Sequence, residues 1–480
     1  MRTSLVACVV VSLLGCGSSD GASSPDGPGD DTGATGDSSV VDSSSRDAPP
    51  DAPSDGPAAE VADAKDSADG SDSALPADDL PFATKRQSCT FKAGALPSET
   101  FGPSIVATKI PIDVLVIVIH ENRSFDHYFS RLPEFGQPDV EVAKPDATIP
   151  DPTSKPVARF HQTDYCFADP GHGWNTQHKD WNGGKNDGFA QQNATTADPT
   201  GSHVLGWFDD SDIPFYYSLA SAYGTADRYF CPTLTQTGPN RFYAYGATSW
   251  GSTSNADGPP GGAKTIFTAM LAAKIPWKVY TVATTGYSFE HSIFPSLPDA
   301  NFGTMAQYES DAAAGKLPNV VFLYTGSDEH PPADMQKGEV DVQKAFTTLT
   351  TSPQWARSAF ILTYDENGGL YDHVPPPPAC IPDDIAPKLA TGDVPGKFDR
   401  YGFRVPFVLA SPWSKPHYVS HVENSHTSIL RFIELRFGLP ALTARDANAN
   451  ALMEFFDFGK PSFATPATMP KATVDATKCK

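Results

Sequence analysis

The chain has 480 residues, 39% of them hydrophobic, and a formal net charge of −22. That length holds one large or two medium domains, and without a basic patch the sequence offers nothing to a nucleic-acid partner. The acidity is local, because residues 20–79 hold 16 acidic and 2 basic residues and so carry 14 of the 22 net negative charges.

In chain order, MRTSLVACVVVSLLGCGSS combines one Arg, a short apolar core and a small residue before Cys16. This pattern is a secretory leader and not a membrane span. Leu13-Leu14-Gly15-Cys16 resembles a bacterial lipobox, in which the Cys is lipidated and becomes the mature N-terminus. Leu14 departs from the small or β-branched residue usual there, and an ordinary leader cleaved nearby is the alternative. The stretch that follows is Ser, Gly, Ala, Pro and Asp with almost no aliphatic bulk. It cannot bury enough apolar surface to offset its ordering entropy, so disorder is expected. The expected organisation is therefore a leader with its lipobox Cys over residues 1–16, a disordered acidic tether over 17–81, and one domain over 82–480. The chain would be lipid-anchored at a bacterial cell envelope or secreted.

Cys8 leaves with the leader and Cys16 would be lipidated. Cys89, Cys166, Cys231, Cys380 and Cys479 remain, an odd number in an oxidising compartment, with no metal-cluster spacing among them. One or two disulfides are expected, with the pairing open.

The first element of the domain is the apolar run 114–119, dominated by β-branched residues. It reads as a strand buried on both faces, as in a parallel sheet. It ends at His120-Glu121-Asn122-Arg123, after which Phe125, Tyr128 and Phe129 fall at helical spacing. Residues 131–160 read as a Pro- and Asp-rich surface loop. The segment HQTDYCFADPGHGWNTQHKDWNGGKNDGF cannot be core, and its His172, His178, Asp180, Asn186 and Asp187 make it a candidate site loop. A polar loop pinned by Trp174 and Trp181 is the blander alternative.

Residues 212–223 predict a helix with Pro214 in its first turn, and 226–230 a short strand. The hydroxyl-rich CPTLTQTGPNRFYAYG runs into an aromatic helical stretch. Helices are predicted at 263–273, 304–314, 340–349 and 427–437, and strands at 277–280, 319–324, 358–364 and 405–410. Strands alternating with helices argue an α/β domain around a mainly parallel sheet. Three strand ends carry clusters: Glu121-Asn122, Asp328-Glu329-His330, and Asp365-Glu366 with Asp372-His373 behind them. In a parallel sheet such ends converge on one edge. Carboxylates, an amide and imidazoles around one point are what hold hard cations and phosphate.

With these residues in view, the chain resembles the bacterial phosphoesterase family of phosphatidylcholine-type phospholipases C and acid phosphatases, within the alkaline-phosphatase-like superfamily. The likeness runs through ENRSFDHYF, DPGHGW, DIPFYYSLA, the Thr-x-Pro-Asn-Arg at 237–241, SDEHPP, TYDENGGLYDHVPPP, VPFVLASPW and HTSILRFIE. It implies a three-layer α/β/α fold with a mainly parallel central sheet. It also implies that Glu121, Asn122, Asp365 and Glu366 bind metal and that Thr237 is the hydroxyl nucleophile sitting on that metal. His178, His330 and His373 match imidazoles that grip the phosphoryl oxygens or protonate the leaving group, with His373 expected as the acid and His330 as the grip. Arg241 would add a donor to the phosphoryl group. Three positions depart from the pattern: Ser130 follows the first motif, Thr235-Gln236 precede Thr237, and Ser425 precedes His426, which is left out of the expected site for that reason.

Metal coordination is one way to activate a Thr hydroxyl, a poor nucleophile at neutral pH. The oxygen-rich ligands suit Ca²⁺, Mg²⁺ or Mn²⁺ as well as Zn²⁺. The expected activity is metal-dependent hydrolysis of a phosphate ester, either a phospholipid or a soluble phosphomonoester. A surface lipoprotein with a degenerate ligand-binding site is the second reading. A sulfatase ranks last, because Thr237 cannot yield the formylglycine those enzymes need.

Overall fold

All seven residues of the first strand, Val114–His120, are buried, as a run without polar alternation requires. The computed structural model describes residues 76–282 and 288–479. The leader, Cys16 and the acidic tract up to residue 75 therefore lie outside the described residues.

The central sheet has eight strands. In chain order they are β1 (Val114–His120), β2 (Gly224–Ala226), β3 (Trp277–Thr281), β4 (Phe302–Thr304), β5 (Val320–Tyr324), β6 (Ser358–Tyr364), β7 (Phe407–Ala410) and β8 (Tyr418–Ser420). Their spatial order is β8-β2-β7-β6-β1-β5-β3-β4. β1 pairs in parallel with β5 on one side and β6 on the other. β3 and β4 continue that sense outward, while β7 runs antiparallel to both of its neighbours. β8 lies parallel to β2. The fold is thus α/β around a mostly parallel sheet, with β7 as its single reversed strand.

The helices that matter below are α1 (Phe125–Phe129), α2 (Trp174–Trp181), α3 (Pro214–Ala222), α4 (Thr237–Gly246), α5 (Ile266–Ala272), α6 (Met305–Ala313), α7 (Met335–Thr350) and α8 (His426–Phe437). Alternation along the strands decides which helix each residue meets. Phe322, the register partner of Ile117, packs edge-on against Tyr245 of α4 and Phe267 of α5. Phe360, the partner of Val116, faces the other way and meets Phe346 of α7. Phe215 of α3 joins Phe346, and Tyr308 of α6 donates to the Ala345 carbonyl of α7 at 3.0 Å. Helices therefore cover both faces of the sheet.

Three expectations shift in detail. The strand expected at 226–230 divides into β2 and a short pair, Tyr229–Phe230 with Asn424–Ser425. Between them Asp227 is buried, accepting from the Glu141 amide at 2.8 Å and facing His421. Helix α7 begins at Met335, earlier than expected, because the Asp334 side chain caps it by accepting from the Gln336 amide. The packed chain also starts before residue 82: Asp79 is buried against Arg86 at 2.7 Å and accepts from the Gly102 amide.

The disulfides are Cys89–Cys380 and Cys166–Cys479, and Cys231 is a buried free thiol. Among the described residues no helix is long and apolar enough to cross a membrane.

Ile117 has no exposed surface, so Ile117→Ala should destabilise the protein by about 2–5 kcal/mol through lost contacts and the cavity left behind. Leu271→Ala, at a position 37% exposed on α5, should change stability by less than about 0.5 kcal/mol. Denaturant unfolding of the two variants checks the assignment, and equal losses would contradict it.

Candidate active site

Two adjacent strand ends and one helix start meet at the carboxyl edge of the sheet. β1 delivers Glu121 and Asn122, β6 delivers Asp365 and Glu366, and α4 opens on Thr237. Asn122 is fully buried in the left-handed region with φ 64°. Its amide N–H donates to Asp365 Oδ1 at 3.2 Å. Thr237 Oγ1 donates to Asn122 Oδ1 at 3.4 Å, and Asn122 Nδ2 lies 3.4 Å from His172 Nε2. Glu366 Oε2 accepts from Gln177 Nε2 and from the Gly368 amide, both at 2.8 Å. Its other oxygen, Oε1, is 3.7 Å from His172 Nε2 and is buried without a hydrogen-bond partner among the described residues.

The DENGG sequence makes this closeness possible. Gly368 and Gly369 both have positive φ. A Cβ on Gly368 would lie 2.7 Å from Asn122 Cβ, and one on Gly369 would lie 2.3 Å from the Gly171 carbonyl oxygen. Only glycine suits both the dihedrals and the space.

Arg241, one turn into α4, lies beneath the cluster and is almost wholly buried. Its Nη2 donates to Glu121 Oε1 at 3.0 Å and to the Ile119 carbonyl at 3.1 Å. Its Nε reaches Asp365 Oδ2 at 3.3 Å and its Nη1 the Tyr324 hydroxyl at 2.9 Å. The guanidinium is thus spent on the carboxylates and does not point outward as a phosphate donor. One cation does not balance three carboxylates. Burial pushes the Glu121 carboxyl up to about 7, with Arg241 opposing and Asp365 adding to the shift. Burial, then the Asp365 charge, lift Glu366 well above the carboxylate range. A divalent cation would supply the missing charge and a partner for Glu366 Oε1. Carboxylate, carboxamide, hydroxyl and imidazole donors fit such an ion.

The three expected imidazoles separate. His330 sits at the margin of the cluster, its ring 5.7 Å from that of His172 and its Nδ1 3.9 Å from Asp169. The ligand atoms of Asp169, His172 and His330 all lie within 4.8 Å of one another. His373 is instead held by Asp126, whose Oδ2 lies 2.6 Å from its Nδ1, with Arg404 and Glu141 alongside. Burial opposes protonation of His373, but the Asp126 charge outweighs it and raises the pKa. His178 stacks on Trp174, and its Nδ1 contacts the Trp174 carbonyl at 2.7 Å. Its Nε2 lies toward Gly396.

The structure therefore brings Glu121, Asn122, Thr237, Arg241, Asp365 and Glu366 together, with His330 at the edge. His178 and His373 make their contacts elsewhere. His172 and Gln177 come in instead. Successive residues on a helix point about 100° apart, so when Gln177 turns inward to Glu366 its neighbour His178 turns away. No local signal marks Gln177, which stands between Thr176 and His178 in a largely polar helix. His426 donates structure more than chemistry: its Nε2 meets the Asp365 carbonyl at 2.9 Å and its Nδ1 the Tyr229 hydroxyl at 3.1 Å. Burial holds its pKa down to about 3.

Residues 112–440 match the family model described as Phosphoesterase family. The chain is 32% identical over 408 residues to non-specific phospholipase C1 of Arabidopsis thaliana, covering 77% of this chain and 74% of that one. It is 31% identical over 414 residues to phospholipase C B of Mycobacterium tuberculosis (strain CDC 1551 / Oshkosh), covering 73% and 78%. The solved lipoteichoic acid synthase LtaP of Listeria monocytogenes aligns over 78% of this chain and 82% of that one, at 9% identity and a TM-score of 0.35. That likeness is too faint to argue from, and the fold assignment rests on the sheet topology. By its matched length and its relatives the chain belongs to the phosphoesterase family, as a hydrolase of phosphoric ester bonds.

Proposed function

We propose that the protein is a metal-dependent phospholipase C that cleaves phosphatidylcholine-type lipids through a Thr237 nucleophile. The observation that carries this reading is the buried Oε1 of Glu366, which has no hydrogen-bond partner among the described residues and is joined through His172 to Asn122 and so to Thr237. A bound divalent cation there would lower the pKa of a coordinated hydroxyl and neutralise phosphoryl charge. Asn122 orients the Thr237 hydroxyl, and Asp365 and Arg241 fix Asn122 and Glu121 in turn. Thr237 Oγ1 attacks phosphorus and loses its proton, while the glyceride oxygen leaves and takes one up, giving diacylglycerol and a phosphocholine ester of Thr237. Water then releases phosphocholine and restores the hydroxyl. His330 faces this cluster, so the proton for the leaving group is assigned to it, and His373 is assigned to holding the loop through Asp126.

Three threonines precede Arg241. Thr235 Oγ1 is buried and donates to the Thr253 carbonyl at 2.6 Å, and Thr233 is buried too. Thr237 is partly exposed and reaches Asn122, which supports it over its neighbours. The leader reading supports lipid attachment at Cys16 in a bacterial envelope. Acyl labelling that persists in a Cys16→Ser variant would remove that inference.

Thr237→Ala should lower the rate of phosphocholine release from phosphatidylcholine vesicles by about a thousandfold or more, with an unchanged melting temperature. Near-normal turnover in this variant would overturn the covalent route. Chelation should abolish wild-type activity, and a soluble phosphomonoester hydrolysed in place of the lipid would make the protein a phosphatase.

Glu366→Gln and Asp365→Asn should each lower bound divalent metal, read by mass spectrometry of the purified protein, as well as the rate. Full metal occupancy in both would place these carboxylates outside the coordination sphere.

Replacing His330 by Ala should slow esters of alkyl alcohols far more than nitrophenyl esters, whose leaving group needs no proton. His373→Ala should instead lower thermal stability and affect both substrates alike. The opposite pattern would return the acid role to His373.

A further inference from the structure

Nine large hydrophobic residues are exposed among the described residues, and three of them, Ile381, Ile385 and Leu389, share one loop at 50%, 44% and 37% exposure. Single exposed aliphatics are ordinary, whereas three on one short loop concentrate apolar surface in one segment, as contact surfaces do. The loop, residues 381–397 between β6 and β7, contains no helix or strand, yet it is pinned along its length. The Pro382 carbonyl accepts from the Ala444 amide at 2.9 Å, and Asp383 Oδ2 accepts from Thr248 Oγ1 at 2.6 Å. The Lys388 amide donates to the Gly251 carbonyl at 2.8 Å, and the Val394 carbonyl accepts from Trp174 Nε1 at 2.9 Å.

These pins tie the loop to the site from two sides. Gly251 and Thr253 follow α4, which opens on Thr237, and the Thr253 hydroxyl donates to the Lys388 carbonyl at 3.1 Å. Trp174 opens α2, which carries the Gln177 that binds Glu366. A held loop that borders a phosphate site and turns aliphatic side chains to solvent is suited to a surface in which the substrate itself lies.

We propose that Ile381, Ile385 and Leu389 insert into a phospholipid surface and bring the lipid phosphate to Thr237. The inference rests on the phospholipase reading above. Three side chains fall far short of the roughly 800 Å² per partner that a stable protein interface buries, whereas shallow insertion in a bilayer needs only apolar side chains flanked by cations. Lys388, exposed between Ile385 and Leu389, and exposed Lys397 suit that role, since a Lys stem can lie along apolar surface with its ammonium at headgroup level. Of the loop's carboxylates, Asp383 and Asp393 are bound within the protein, and only Asp384 faces solvent beside Ile385.

The test uses the full chain carrying Cys16→Ser, so that no acyl anchor contributes, with and without the triple change Ile381→Ser, Ile385→Ser and Leu389→Ser. Sedimentation with phosphatidylcholine vesicles should show partitioning reduced about tenfold or more, tenfold being about 1.4 kcal/mol. Hydrolysis of vesicle lipid should fall in parallel. Hydrolysis of dihexanoylphosphatidylcholine kept monomeric should change by less than about twofold, with no shift in melting temperature. Unchanged partitioning would overturn the proposal, as would equal losses on vesicle and monomeric lipid. A dimer of the parent chain that the triple variant cannot form would also overturn it, by giving the surface to a second copy. If the parent chain cleaves neither lipid, the phospholipase reading fails by itself, and the partitioning result still decides the role of the loop.

Discussion

The buried guanidinium of Arg241 is the constraint on which the rest of this edge of the sheet depends. It joins Glu121 after β1, Asp365 after β6 and the hydroxyl of Tyr324 at the end of β5. Without it, carboxylates from neighbouring strands could not be held this close inside the protein, because desolvation and like-charge repulsion would drive them apart or neutral. It pairs with two of them and does not reach Glu366. The α/β architecture places this arrangement: the parallel strands end together, and α4 returns its first turn to the same edge.

Around that edge three buried carboxylates, Glu329, Asp126 and Asp372, are held by protein partners. Glu329, after β5, accepts from the hydroxyls of Tyr128, Tyr216 and Tyr364 and faces His120 at 3.0 Å. Its neighbour Asp328 accepts the Glu121 amide at 2.8 Å, so the β5 loop positions the β1 loop as well as His330. Asp126 and Asp372 share Arg404, at 3.2 and 2.9 Å. Satisfied networks of this kind fix backbone geometry. His373, further along the connection that carries Glu366 and paired with Asp126, belongs to this frame.

Much of this was legible from residue order. The strand at 114–119 and the clusters after it, after 319–324 and after 358–364 fell where the sheet brings them together, because uninterrupted apolar runs are a strong signal for buried parallel strands. The reversed strand β7 was not legible: residues 405–410 look like any other apolar strand, and direction is set by the path of the long connection before it. Within the site, chemistry was easier to read than orientation. Glu121, Asn122, Asp365 and Glu366 lie on chain segments whose direction the strand ends fix, and Thr237 opens α4. His178 and Gln177 are adjacent on one helix, and only the packing of Trp174 against His178 shows which of them faces inward. Asp126 lies on α1 and His373 beyond the double glycine, so their pairing depends on tertiary contacts that no local pattern encodes.

The same charges bear on how substrate and cation depend on each other. Glu121 and Asp365 share one guanidinium and Glu366 has none, so the carboxyl groups outnumber the fixed cations beside Thr237. With burial favouring the protonated forms of Glu121 and Glu366, and Asp365 paired with Arg241, a phosphodiester anion brought to Thr237 would meet little net positive charge. The helix start of α4 offsets part of this, as amide groups in a first turn favour anions. It cannot offset all of it, because Pro239 has no N–H to offer and the Gly238 amide already donates to Asn255 Oδ1 at 2.7 Å. An added divalent charge would favour the ionised carboxylates, supply positive charge toward the phosphate and fill the gap at Glu366. Electrostatic reasoning at such a site is incomplete without that charge. Cation and phosphate ester should therefore bind with positive linkage: each strengthens the other, and a chain stripped of the first loses affinity for the second along with its rate.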